Sequence, residues 1–246
     1  MAGIPGAVRE AARLAIFPAL AVGCFSDYWL SGASKSLRSR VAWMRRSAIR
    51  HAKWIGLEVR VFGSVPEAGL IVSNHVSYLD ILGLSMVTGC AFVAKSDVAR
   101  WPVFGTYAAM GGTIFVDRER RGAVADVAQA MKGHLDADLP VALFPEGTST
   151  DGSEVRPFRT SLFEPVVQLG CTVVPCGMRY SVTDGSVADE VAYWGDMSLA
   201  THLPHLLSKG GVALEIHFGT PRRGQDRKEL ARTLHAEVCA LAGLIA

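Results

Sequence analysis

The sequence predicts an α/β protein: a mixed, largely parallel sheet flanked by helices, with a membrane-associating helical pair at its N-terminus. Three observations lead there. Short Val/Ile/Leu/Phe runs alternate with longer amphipathic stretches, the pattern of strands joined by crossover helices. Half of the 246 residues are apolar, enough to bury one large core. Two apolar runs, "IVSNHVSYLD" (71–80) and "PVALFPEGTST" (140–150), break off into polar loops, and strand ends are where open α/β sheets collect ligand-binding groups.

Taken along the chain, "LAIFPALAVGCF" (14–25) is apolar, contains Pro18 and is 12 residues long, short of the roughly 20 needed to cross a bilayer. Ser31 to Leu57 holds seven Lys/Arg and no acid, while Leu37, Val41, Met44, Ala48 and Ile55 keep helical spacing. That is a cationic amphipathic helix. The pair is expected to lie on, or dip into, the cytoplasmic face of the inner or cell membrane as a monotopic or peripheral anchor. Arg9 and Arg13 before an apolar run also fit a signal peptide, but Glu10 and the lack of a small-x-small cleavage site argue against cleavage. No aromatic-rich sheet or helix-turn-helix pattern accompanies the charge, so nucleic acid is not an expected partner. Residues 1–56 are read as the membrane-associating segment and 57–246 as one domain carrying the chemistry.

Within that domain "LEVRVF" (57–62) alternates as a strand, "GSVPEA" is a turn and "GLIVSN" (69–74) a buried strand. Tyr78 to Val87 reads as a helix, "AFVAK" (91–95) as a strand, 96–112 as broken helical pieces and "TIFVDR" (113–118) as a strand. Gly122 to Ala137 is helical, with Val124, Val127, Ala128, Met131 and Leu135 on one face. A strand at 140–144 enters the second polar loop, Ser161 to Leu169 is helical, "TVVPCGMRY" (172–180) and "VALEIHF" (212–218) are strands, and Arg227 to Ile245 closes the chain as a helix.

The chemistry starts from His75 and Asp80. On one continuous helix five residues place two side chains about 140° apart, so the pair can meet only if the chain bends from strand to helix between them. A carboxylate on one imidazole nitrogen fixes the tautomer and stabilises the imidazolium formed when the other nitrogen takes a proton. Such a base needs an acidic hydrogen. No G-x-S-x-G elbow offers a serine. The five cysteines are odd in number, dispersed and in apolar settings, which argues for buried thiols in a reducing compartment. The other six histidines lack metal-ligand spacing, so neither a zinc site nor metal-activated water is expected. A substrate hydroxyl remains, and a base that activates an alcohol for direct attack on an acyl donor needs no covalent intermediate.

Four blocks in order then resemble the PlsC-type glycerol-phosphate and lysophospholipid acyltransferase family: "NHVSYLD" (74–80), "GTIFVDR" (112–118), "FPEGTS" (144–149) and "VVPC" (173–176), within about 57–220. The resemblance implies that His75 is the general base and Asp80 its orienting carboxylate. It implies a lysophospholipid acceptor, with acyl-CoA or acyl-carrier protein as co-substrate and no cofactor. Asn74, Ser77, Lys95, Arg118, Glu146, Gly147 and Thr148 carry over as substrate-binding positions. Arginine forks and loop amides suit a phosphate head group.

One position departs from the pattern. Many phosphatidate-forming members have Arg after "FPEGT", where this chain has Ser149. The stretch is similar to a subgroup in which both phosphatidic acid synthesis and acylation of lyso-ornithine lipid occur, and Arg156 or Arg159 is an alternative source of charge. The leading expectation is acylation of the sn-2 hydroxyl of 1-acylglycerol 3-phosphate. The alternatives are lyso-ornithine lipid or another lysolipid as acceptor and, more remotely, a non-catalytic lipid-binding protein.

Overall fold

A computed structural model of the chain describes residues 4–101, 103–117 and 123–245. The N-terminal pair consists of α1 (Gly6–Leu30) and α2 (Leu37–Ile55). The expected α/β body follows: β1 (Leu57–Phe62), β2 (Leu70–Ser73), α3 (Leu79–Thr88), β3 (Ala91–Lys95), α4 (Phe104–Met110), β4 (Ile114–Val116), α5 (Ala123–Leu135), β5 (Val141–Leu143), α6 (Glu164–Leu169), β6 (Val173–Val182), α7 (Val187–Glu190), α8 (Leu199–Ser208), β7 (Val212–Phe218) and α9 (Arg227–Ala242).

The described strands form one sheet in the order β1-β7-β6-β2-β5-β3-β4. Every pairing is parallel except β6 with β7, so the sheet is mixed and largely parallel. Strand periodicity divides the core between its faces. Leu70, Val72, Val141, Leu143 and Val173 join side chains of α5, α6 and α9 on one face. Ile71, Ala142, Val174, Leu214 and Ile216 meet α2, α3 and α8 on the other. That is why β2 reads as an unbroken apolar run: it is covered on both sides. Gly177 lets α9 lie directly on β6, since a Cβ there would stand 2.3 Å from the Leu241 carbonyl carbon.

Several boundaries differ from the sequence expectation. The apolar stretch at 14–25 is the middle of a 25-residue helix that continues through Pro18. No described helix is long and apolar enough to cross a membrane. The segment from 160 is a 3-10 turn leading into α6. The last helix ends at Ala242 because Gly243 takes a left-handed conformation, φ +71°. Helix α8, which carries Pro204, went unassigned in sequence. Its C-terminal carbonyls are capped from afar: Arg13 donates to Leu207 (2.9 Å) and Lys209 (3.0 Å), and Arg9 to Ser208 (2.6 Å). Cations at a helix C-terminus offset its unpaired carbonyls, and here they tie α1 to the body. Helix α2 is part of the same packing, burying Ala52 and Ile55 against the sheet.

Candidate active site

Strand β2 ends at Ser73 and α3 begins at Leu79, so 74–78 forms the bend that the His75–Asp80 spacing requires. Asp80 sits in the first turn of α3 and is fully buried. Its Oδ2 accepts from His75 Nδ1 at 2.7 Å and from the backbone N–H groups of Val76 and Ser77 at 2.8 and 3.0 Å. Its Oδ1 accepts from the Tyr180 hydroxyl at 2.5 Å. With its proton on Nδ1, His75 presents Nε2 as an acceptor, and its side chain keeps 21% exposure. The carboxylate is satisfied by four donors and the base has one nitrogen available for chemistry.

The second polar loop holds the first. Glu146 is buried and its two oxygens take the backbone N–H groups of His75 and Arg156, each at 2.7 Å. Thr150 N–H donates to the His75 carbonyl at 2.9 Å. The backbone of the base is therefore clamped on both sides by residues about 70 positions downstream. Gly147 makes the turn between the two clamps with φ +77°, a conformation that glycine adopts without strain. Phe144 stacks on the imidazole with ring centroids 4.2 Å apart. Burial pushes the Glu146 carboxyl up to about 7, with the two backbone donors and His75 opposing that rise and the Asp80 charge adding to it.

The substrate-binding positions expected from sequence divide. Asn74 is spent on the sheet: its Oδ1 accepts from Met178 N–H at 2.7 Å and its Nδ2 donates to the Met178 carbonyl at 3.0 Å. The side chain thus continues the ladder where β2 stops. Ser77 is fully buried behind Asp80, and its Oγ has no partner among the described residues. Glu146 is committed to the loop backbone. The Gly147 amide donates to the Phe144 carbonyl at 3.2 Å, so it is not aimed at an anion. Thr148 is exposed, and Lys95, at the end of β3, is exposed and ion-paired with Asp97. Arg118 lies outside the described residues. The alternative cations are also engaged: Arg156 pairs with Glu154 at 3.5 Å and Arg159 Nε donates to the Glu146 carbonyl at 3.3 Å. Ser149 donates to the Tyr193 carbonyl.

Sequence reasoning missed Thr150, Phe144 and Tyr180. Phe144 opens the third block and Thr150 directly follows it; Tyr180 lies in a strand with no motif to mark it. The cysteines are all free thiols, and burial pushes Cys90 and Cys176 up to about 12, which keeps them protonated and out of nucleophilic chemistry.

Beside the base is an apolar pocket. Its wall includes Ile81 and Leu82 of α3, Phe92 and Ala94 of β3, Tyr107 of α4 and Leu203 of α8. Phe92 stacks on Phe144 at 6.2 Å, and Phe144 on His75, so one ring separates the pocket from the base.

Residues 58–179 match the acyltransferase family model. The chain is 37% identical over 207 residues to the lyso-ornithine lipid O-acyltransferase of Brucella abortus, covering 77% of this chain and 78% of that one. It is 31% identical over 188 residues to the 1-acyl-sn-glycerol-3-phosphate acyltransferase of Neisseria gonorrhoeae, covering 76% and 73%. Its fold matches the crystal structure of PlsC, the 1-acyl-sn-glycerophosphate acyltransferase of Thermotoga maritima, with a TM-score of 0.71 over 96% of this chain and 94% of that chain at 17% identity. These matches establish that the chain belongs to the PlsC-type acyltransferase family.

Proposed function

We propose that this protein transfers a fatty acyl group from a thioester donor, acyl-CoA or acyl-carrier protein, to the hydroxyl of a lysolipid at a membrane surface. The observation that carries this reading is the His75–Asp80 pair at 2.7 Å with Nε2 left as a base. Nε2 takes the proton of the acceptor hydroxyl as its oxygen attacks the thioester carbonyl. The C–O bond forms, the C–S bond breaks, and the imidazolium returns the proton to the departing thiolate. Asp80 stabilises the imidazolium in between. The apolar pocket one ring from His75 suits an acyl chain, whose burial is favourable by ~0.8 kcal/mol per methylene. The exposed apolar side chains of α1, Val8, Ile16, Val22, Trp29 and Leu30 among them, suit a lipid surface.

For the acceptor we favour lyso-ornithine lipid. Ser149 stands where an arginine was expected and is hydrogen-bonded to Tyr193, while Lys95, Arg156 and Arg159 are each engaged by a carboxylate or carbonyl. A zwitterionic head group asks less of this site than a phosphate dianion. The higher identity to the Brucella abortus relative, 37% against 31%, points the same way. The second reading, 1-acylglycerol 3-phosphate as acceptor, is supported by the relative from Neisseria gonorrhoeae.

Both are tested by offering the two acceptors separately to purified protein in mixed micelles with a defined acyl-CoA, with His75→Ala as control. We expect ester formation on lyso-ornithine lipid and a loss of about 10²–10⁴-fold in the variant. Product from the phosphate acceptor alone overturns the favoured acceptor. Undiminished turnover by folded His75→Ala overturns the base.

A further inference from the structure

We propose that Tyr180 is a positioning residue for the base, acting on His75 through Asp80; the inference rests on the reading of His75 as general base. Its sequence gives no sign of this, but the fold leads to it step by step. Strand β2 pairs with β6 only as far as Ser73 opposite Cys176. Beyond that point Asn74 takes over, holding both backbone groups of Met178 with its amide. Side chains two residues apart on a strand share a face, so fixing Met178 fixes where Tyr180 points. Its hydroxyl donates to Asp80 Oδ1 at 2.5 Å, across 100 residues of sequence.

The division of labour at Asp80 gives the phenol a function. Oδ2 already receives His75 and two backbone amides, whereas among the described residues the phenol is the donor to Oδ1. A carboxylate held at both oxygens cannot swing about its Cβ–Cγ bond, so Oδ2 stays aligned with Nδ1. The phenol also draws charge from the carboxylate, which lessens its pull on the imidazolium. Burial, followed by the Asp80 charge, drives Tyr180 far above the ordinary phenol range, which keeps it a donor at any working pH. The titratable groups that face this assembly are His75, Glu146 and Cys176 around Asp80, and Tyr78 beside Tyr180.

The test is the kinetics of Tyr180→Phe, which removes one oxygen. We expect kcat to fall about tenfold, KM for the acceptor to change less than about twofold, and the acid limb of the kcat/KM profile to move to higher pH because the imidazolium is held more strongly. In an Asp80→Asn background the same change should cost less than about twofold, since the carboxylate charge through which it acts on the imidazolium is gone. Replacing Tyr180 with 3-fluorotyrosine, which keeps the hydroxyl and makes it a stronger donor, should move the acid limb to lower pH even if Tyr180→Phe folds poorly. An unshifted acid limb in both variants, or an equal loss in the Asp80→Asn background, overturns the proposal. Activity retained by folded His75→Ala would instead overturn the reading on which it rests.

Discussion

The Glu146 carboxylate takes the backbone N–H of His75 at 2.7 Å, 71 residues away in sequence, and its second oxygen takes that of Arg156. A group expected to meet substrate thus holds the loop that carries His75 in place. Because its pKa is raised from 4.5 to about 7, chiefly by burial, the folded state keeps a proton that the unfolded chain has lost between those values. The stability this group contributes is full below about 4.5 and is lost as pH rises through about 7.

Glu146→Gln is therefore expected to act in two ways. One amide face must oppose a backbone N–H, which costs ~1–3 kcal/mol, and the fall in stability between pH 4.5 and about 7 should flatten. Urea unfolding at pH 5 and pH 7.5 measures both effects. An unchanged pH slope would remove Glu146 as its source.

Asn74→Ala strips the Met178 N–H and carbonyl of their partners in a buried site. We expect a loss of ~2 kcal/mol or more and a lower kcat, because the part of β6 carrying Tyr180 is no longer tied to the end of β2. Asn74→Asp should be no better, since a carboxylate cannot donate to the Met178 carbonyl. Chemical denaturation and steady-state turnover check these outcomes.

The pocket argues for a chain-length test. Ala94 lies in its wall, and Ala94→Phe fills space otherwise open to an acyl chain. Displacing two methylenes costs ~1.6 kcal/mol, or roughly 15-fold in kcat/KM. Long-chain acyl-CoA should lose that much while short-chain donors change little. A uniform loss across chain lengths would place the acyl group elsewhere.

The apolar face of α1 makes a separate prediction. Val22 and Trp29 are 65% and 70% exposed, so Val22→Glu with Trp29→Glu should change stability by less than about 1 kcal/mol. Sedimentation with anionic vesicles should nonetheless fall several-fold. Undiminished binding would mean that α1 does not meet the bilayer.

What the sequence alone determined is local in origin. Period-two and period-3.6 apolar patterns located the main strands and most helices, and five residues across a strand-to-helix bend were enough to pair His75 with Asp80, because both depend on backbone geometry over a few residues. The first and third blocks likewise located the two loops that meet at His75. What those residues do there was decided by tertiary structure. Asn74 reads as a ligand group until β6 is laid beside β2, and Glu146 until the bend at His75 is brought against it. Tyr180 has no local signature at all. Helix α8 is held at its C-terminus by arginines almost 200 residues upstream. Partners 70 to 200 residues apart meet only after crossover connections have set the strand order, and that order is chosen by packing both faces of the sheet at once.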